Sequence, residues 1–237
     1  MPRAYLSGVL VALAIAVPVL GLEGVDPRTA AGQLAVCGSA ANWRAVNYLE
    51  FNVKVSTAAG VQGPYQYRWD RHNGYLRLNG ASSSGTKLDV VIDLGSKTGG
   101  GWEDGKQLTG KRLGEVMSWA LQRFGEDTLW LTFPLEWGAP GVTVKSLPDV
   151  PGEGGAMSPA TSVTSAVGDW TVTLDPATGR VSRTVLNRKG MTMNVVWSDW
   201  QEHGGVYFAG KRVIAETGET VEAVVTQAQA QTPPGVF

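Results

Sequence analysis

Hydrophobic and polar positions alternate with period two along most of this chain, and one central segment interrupts the alternation with a helical period. "YLEFNVKVS" (48–56) puts Leu49, Phe51, Val53 and Val55 on one parity and Glu50, Asn52 and Lys54 on the other, the period-two signature of a half-exposed antiparallel strand. In "YQYRWDRHNGYLRLNG" (65–80), Tyr65, Tyr67 and Trp69 share a parity, His72-Asn73-Gly74 turns the chain, and alternation resumes through Leu76 and Leu78. The pattern predicts a hairpin of 64–71 with 75–79, followed by a strand over 86–94 that aligns Leu88, Val90, Ile92 and Leu94. A glycine-rich turn then leads to Trp102 and Gly105.

The helical period appears in "KRLGEVMSWALQRFGED", where Leu113, Val116, Met117, Ala120, Leu121 and Phe124 form one apolar stripe. Gly125 is the expected stop, and Asp127 the expected cap of a second short helix, "TLWLTFPLEW", apolar nearly all round and therefore buried. From Val142 the chain returns to strands over 142–147, 160–166, 169–174, 180–187, 192–200, 205–214 and 219–227, with 148–158 a Pro/Gly loop. Upstream, 23–47 reads as a helix opened by Asp26-Pro27 and interrupted at Gly38-Ser39. The expected fold is α+β: one antiparallel sheet of about ten or eleven strands, which at that size curls, with a helical pair on its concave side.

Composition changes this picture little. The chain has 237 residues, enough for one β-rich domain, and its 31 Gly and 12 Pro fit many turns between strands. Nine Trp imply large buried or ligand-facing surfaces. Formal net charge is −1, with 20 basic and 21 acidic residues and no long basic run, which argues against nucleic acid or an anionic membrane as partner.

Arg3 followed by the charge-free stretch Ala4–Leu22 is a secretory signal pattern, so 1–21 is expected to be removed and 22–237 to form a single domain in the periplasm or secreted. An uncleaved anchor is the alternative, and it leaves the body on the same side of the membrane. Cys37 is the only cysteine, so no intrachain disulfide forms; Val36 is too bulky for a lipoprotein processing site, and a buried structural thiol is expected.

Catalytic patterns are missing. The sequence has no Gly-x-Ser-x-Gly elbow, no phosphate-cradling glycine loop and no His-Glu-x-x-His. His72 and His203 each sit beside glycine in apparent turns, and neither they nor Cys37 have companion ligands at metal-binding spacing. Glu103-Asp104 and Glu126-Asp127 fall in turns or helix starts, leaving Asp199 and Glu202 beside Trp197 and Trp200 as the one carbohydrate-like arrangement. A non-enzyme is expected, with no metal and no cofactor.

The order of "NWRAV", "YLEF", "YRWDRHNGYLRL", "GWEDGKQL", an amphipathic helix, "DTLWLTFPLEWGAPGV", "LDPATGRVSR", "WSDWQEHGGVYFAGKR" and "PPGVF" over 40–237 resembles secreted bacterial proteins of the LolA-like periplasmic lipoprotein-carrier superfamily. The resemblance is one of order and spacing, without a diagnostic short motif. It implies a LolA/LolB-like unclosed antiparallel β-barrel whose helices plug an apolar concave face, with a cavity for acyl chains of lipids or lipoproteins and no catalytic residues. If the faces of 48–56 and the hairpin coincide, Leu49, Phe51, Val53, Tyr67 and Trp69 line that cavity, and Leu88, Val90 and Ile92 extend it. Met117, Leu121, Trp130, Phe133 and Trp137 would face them from the helical segment, with Leu129, Trp130, Phe133 and Trp137 meeting Phe51, Tyr67 and Trp69. A monomeric carrier or sensor of a hydrophobic ligand is the first expectation. The alternative is a non-enzymatic envelope interaction protein with a filled core, meeting a protein partner at its strand edges.

Overall fold

In the computed structural model, which describes residues 24–82, 85–152 and 155–237, the alternating segments assemble into one antiparallel sheet. The predicted signal segment 1–21 lies outside the described residues. Two short helices, α1 (Ala30–Val36) and α2 (Ala40–Ala45), precede β1 (Tyr48–Thr57), β2 (Gly60–Asp70), β3 (Tyr75–Ala81), β4 (Lys87–Asp93), β5 (Thr98–Glu103) and β6 (Lys106–Gln107). Helix α3 (Gly110–Thr132) and a 3-10 turn (Phe133–Glu136) lead to β7 (Thr143–Pro151), β8 (Met157–Thr164), β9 (Asp169–Leu174), β10 (Val181–Arg188), β11 (Met191–His203), β12 (Val206–Ile214) and β13 (Thr220–Gln229).

The strand order is β6-β5-β4-β3-β2-β1-β13-β12-β11-β10-β9-β8-β7, two meanders joined where β1 pairs with β13. Edges β6 and β7 do not pair with each other, so the sheet is unclosed. Thirteen strands replace the expected ten or eleven because β5 and β6 occupy what reads in sequence as a glycine-rich turn. The glycines there serve strand packing: a Cβ on Gly99 would lie 1.9 Å from the Val91 carbonyl oxygen of the neighbouring strand. The Pro/Gly loop is also shorter than expected, since β7 runs to Pro151 and β8 begins at Met157.

The connection between β6 and β7 has to travel from one edge of the sheet to the other. Laid flat, thirteen strands span about 58 Å, whereas a helix of α3's length spans about 34 Å. The sheet therefore curls, with α3 lying across it as a chord: the helix packs on β4 and β5 and crosses β12. Alternation decides which face it covers, since β1, for example, buries Leu49, Phe51, Val53 and Val55 and leaves Lys54 exposed. The opposite, convex face carries polar ladders, among them Arg77 to Asp89 at 2.7 and 2.9 Å.

Helix α3 is continuous where a break at Gly125 was expected. Its buried positions Val116, Met117, Ala120, Phe124, Asp127 and Leu131 keep three-to-four spacing straight through the glycine. Gly125 costs about 1 kcal/mol in helix propensity, which burial of a residue such as Leu131 offsets. Asp127 is not a cap: it lies inside the helix and is bridged to Arg123 one turn back. Pro134, which has no amide hydrogen to donate, ends the α-helix in the 3-10 turn.

The 23–47 region likewise starts later than expected. Thr29, rather than Asp26, caps α1 by accepting from the Gly32 amide at 3.0 Å, and the interruption falls at Gly38-Ser39. Cys37 is fully buried, and burial pushes its thiol up to about 12, a structural thiol as expected.

Candidate functional site

The site that the sequence points to is the concave face, and its first half is built by β1–β5. Register places Leu49 opposite Trp69, Phe51 opposite Tyr67 and Val53 opposite Tyr65, so the two aromatic and aliphatic faces coincide. Phe51 and Tyr67 stack at 4.8 Å, and Phe124 of α3 closes on Tyr67 at 6.0 Å and on Trp69 at 5.2 Å. Leu49, Phe51, Val53, Tyr67, Val90 and Ile92 have no exposed surface, and Met117 and Leu121 of α3 pack into the same cluster. These residues are brought together as expected, but as packed core and not as the wall of an empty chamber.

The second half departs from expectation. Trp130, Phe133 and Trp137 do not meet Phe51, Tyr67 and Trp69; they pack with Trp170, Val172 and Trp197 on β9 and β11. Phe133 lies 4.3 Å from Trp170 and 5.9 Å from Trp197, while Trp130 meets the same two rings at 5.9 and 6.0 Å. The reason is the unbroken helix. Without a turn at Gly125 the segment cannot fold back, so its C-terminal end reaches the far side of the sheet.

Open space lies along one flank of α3, whose residues Arg112, Val116, Trp119, Arg123, Asp127 and Trp130 follow one another at helical spacing. A groove of about 740 Å³ runs between the β1–β2 hairpin end, β4 and the first half of α3, lined by Tyr65, Leu88, Val116 and Trp119 with Arg112 and Glu115 among its residues. Tyr65 and Trp119 meet edge to face at 5.7 Å inside it. A smaller cavity of about 230 Å³ lies beside the second half of α3, lined by Val55, Asp127, Leu129, Trp130, Leu186, Met193 and Val221, among others. Of the expected residues, Leu88 borders the groove and Leu129 and Trp130 the smaller cavity; Leu49, Phe51, Val53, Tyr67, Trp69, Val90, Ile92, Met117, Leu121, Phe133 and Trp137 border neither.

A polar network pins the middle of α3 to the sheet. Tyr67 donates to the Asp127 carboxylate at 2.6 Å, and Arg123 donates to both of its oxygens at 2.9 and 2.8 Å. Burial pushes the Asp127 carboxyl above its ordinary value, with Arg123 opposing, and it pushes the Tyr67 hydroxyl up as well. Asp127 therefore serves as a buried hydrogen-bond acceptor within α3 and not as the expected cap. Its signal was a carboxylate falling on the apolar stripe of a helix.

The remaining acidic candidates disperse. Trp197 is buried against Trp130 and Phe133, while Asp199 and Glu202 stay exposed, so no shared subsite forms among them. Glu103 pairs with Arg112 at the surface. Among the described residues no group of three or more His, Cys, Asp or Glu side chains is placed to hold a metal ion, and no helix is long and apolar enough to cross a membrane.

Among solved structures, the chain is similar to a domain from Vibrio parahaemolyticus assigned as an outer membrane lipoprotein-sorting protein, with 12% identity and a TM-score of 0.38 over 80% of this chain and 86% of that one. It is similar to the lipoprotein LppX of Mycobacterium tuberculosis, with 6% identity and a TM-score of 0.33 over 86% and 97% of the two chains. A third similarity is to the MucA/MucB complex of Pseudomonas aeruginosa, with 11% identity and a TM-score of 0.24 over 86% of this chain and 61% of that one. No protein-family model and no curated protein matches the sequence. Similarity at this level carries no weight for function.

Proposed function

We propose that this protein is a carrier or sensor in the bacterial cell envelope that takes up acyl chains of a lipid or lipoprotein against the concave face of its sheet. The observation that carries the proposal is the way that face is covered. One helix lies over its middle as a chord, with open space along one flank of both its halves and an apolar wall beneath it. A chain entering the groove at Tyr65, Leu88 and Trp119 would replace α3 side chains on that wall. Protein and ligand burial then compete for the same surface, so binding shifts a population of covered and uncovered states. The binding residues are those of the wall: Leu49, Phe51, Val53, Tyr67, Trp69, Leu88, Val90 and Ile92, with Met117, Leu121, Trp130, Phe133 and Trp137 as the cover that faces it. No cofactor enters this activity.

A filled-core interaction protein is the second reading, and the complete burial of Phe51, Tyr67 and Ile92 favours it. Strands β6 and β7 are its free edges, but β6 has only two residues and β7 carries Pro148 and Pro151, which have no amide hydrogen to donate, so strand addition by a partner is blunted at both. Native mass spectrometry of protein purified from the envelope fraction separates the two. The carrier reading expects adducts of acyl-lipid mass that organic extraction removes. Adduct-free protein that also fails to take up added lipid would leave the filled-core reading standing.

A further inference from the structure

The groove and the smaller cavity lie side by side on the same flank of α3, yet they share no lining residue. Trp119 of α3 lines the groove, and Arg123, one turn further on, lines the cavity. On β1 the corresponding neighbours are Thr57 in the groove and Val55, two residues back on the same face, in the cavity. Tyr65 stands between the two spaces. It lines the groove, meets Trp119 edge to face at 5.7 Å, and has the Arg123 guanidinium over its ring at 5.2 Å. Beneath it is Gly80 of β3, where a Cβ would come within 2.6 Å of the Tyr65 Cδ1, so only glycine leaves the ring this seat. Arg123 is held in turn by the Asp127 carboxylate at 2.9 and 2.8 Å. The ring is therefore buried and held from three sides at the point where α3 is pinned to the sheet.

The lining of the groove describes its occupant. Tyr65, Leu88, Val116 and Trp119 give it apolar sides. Its charged lining residues, Arg112 and Glu115, lie 3.4 Å apart, and Arg112 also pairs with Glu103. The charges answer one another, which suits an apolar chain with an uncharged polar head. At about 740 Å³ the groove falls within the ~300–1,000 Å³ of small-molecule pockets, and the 230 Å³ beyond Tyr65 falls below it.

We propose that Tyr65 is the end wall of the acyl groove and sets the longest single chain that the protein takes. This deepens the acyl-chain reading above and rests on it. A bound chain gains burial with each methylene until its end meets the ring. Further methylenes stay outside the groove, because the ring has no free side to move to. Truncating Tyr65 joins the groove to the cavity, where Val55, Leu129, Leu186 and Val221 receive the end of a longer chain.

The test titrates the full-length protein, Tyr65→Ala and Trp119→Ala calorimetrically with the saturated 1-monoacylglycerols from monooctanoin to monopalmitin, each below its aggregation concentration. Wild-type affinity is expected to rise about fourfold per added methylene and to stop rising at one chain length within the series. Tyr65→Ala should move that limit to longer chains. Trp119→Ala, which removes the ring's neighbour, should move it the same way by less. A limit unchanged in both variants overturns the end wall and leaves the acyl-chain reading intact. So does a wild-type affinity that keeps rising through monopalmitin. Binding of no member of the series overturns both. If Tyr65→Ala does not fold, Trp119→Ala and the wild-type limit still decide.

Discussion

Replacing Asp127 with alanine should destabilise the protein by about 3–5 kcal/mol, the usual cost of removing one partner from a buried ion pair. The substitution leaves the Tyr67 hydroxyl and the Arg123 guanidinium without their acceptor in the interior, and it removes the carboxylate that acts on Arg212. Asp127→Asn keeps an acceptor for Tyr67 and should cost less. Urea denaturation of the three proteins reads the effect directly. A loss under about 1 kcal/mol for Asp127→Ala, the scale of an exposed pair, would mean that the network does not hold α3 to the sheet.

Phe133→Ala is expected to cost a similar amount, about 3–5 kcal/mol, because it empties the middle of a tryptophan cluster that cannot collapse without moving Trp137, Trp170 and Trp197 together. Phe133 follows α3 directly and is 5% exposed. Trp119, in the first half of the helix, borders the open groove, meets Tyr65 edge to face and is only partly buried, so its replacement by alanine should cost clearly less. That asymmetry decides which end of the cover yields. The far end is fixed by packing, and the near end, beside the groove, is free to lift. Thermal unfolding of both variants checks it, and equal losses would argue that the whole helix is permanent core.

The strands were legible because period two survives wherever one face of a sheet is buried. Asp169–Leu174 matches the expected 169–174, and the coincidence of Phe51 with Tyr67 follows from alternation on both strands. The failures share a cause: residues whose usual local role was overridden by what they pack against. Glycines 99–101 read as a turn because glycine usually ends a strand, yet here they let β5 lie close to β4 and let the start of α3 settle on the sheet; a Cβ on Gly101 would meet Leu113 at 3.2 Å. Gly125 and Asp127 read as a stop and a cap because nothing local announces that the stripe continues to Leu131. Because the helix continues, Trp130, Phe133 and Trp137 are carried past Phe51 and Tyr67 to Trp170 and Trp197. Arg212 was overlooked although it shares parity with Val206, Phe208 and Ile214, and a charge on an apolar parity is a signal that alternation alone can reveal. How much space remains beneath α3 was not legible at all, since it depends on side-chain volumes summed across eight or more strands and a helix.

Hydrogen exchange of α3 under titration with a diacylated lipopeptide tests the central claim most directly. If acyl chains bind the concave face by displacing the cover, amides of Gly110–Phe124 should lose protection as ligand is added, while those of Leu129–Glu136 and of β1 keep theirs. The same slow exchange along all of α3 at every ligand concentration, with no binding detected, would contradict the account and leave a curled sheet whose helix is simply its core.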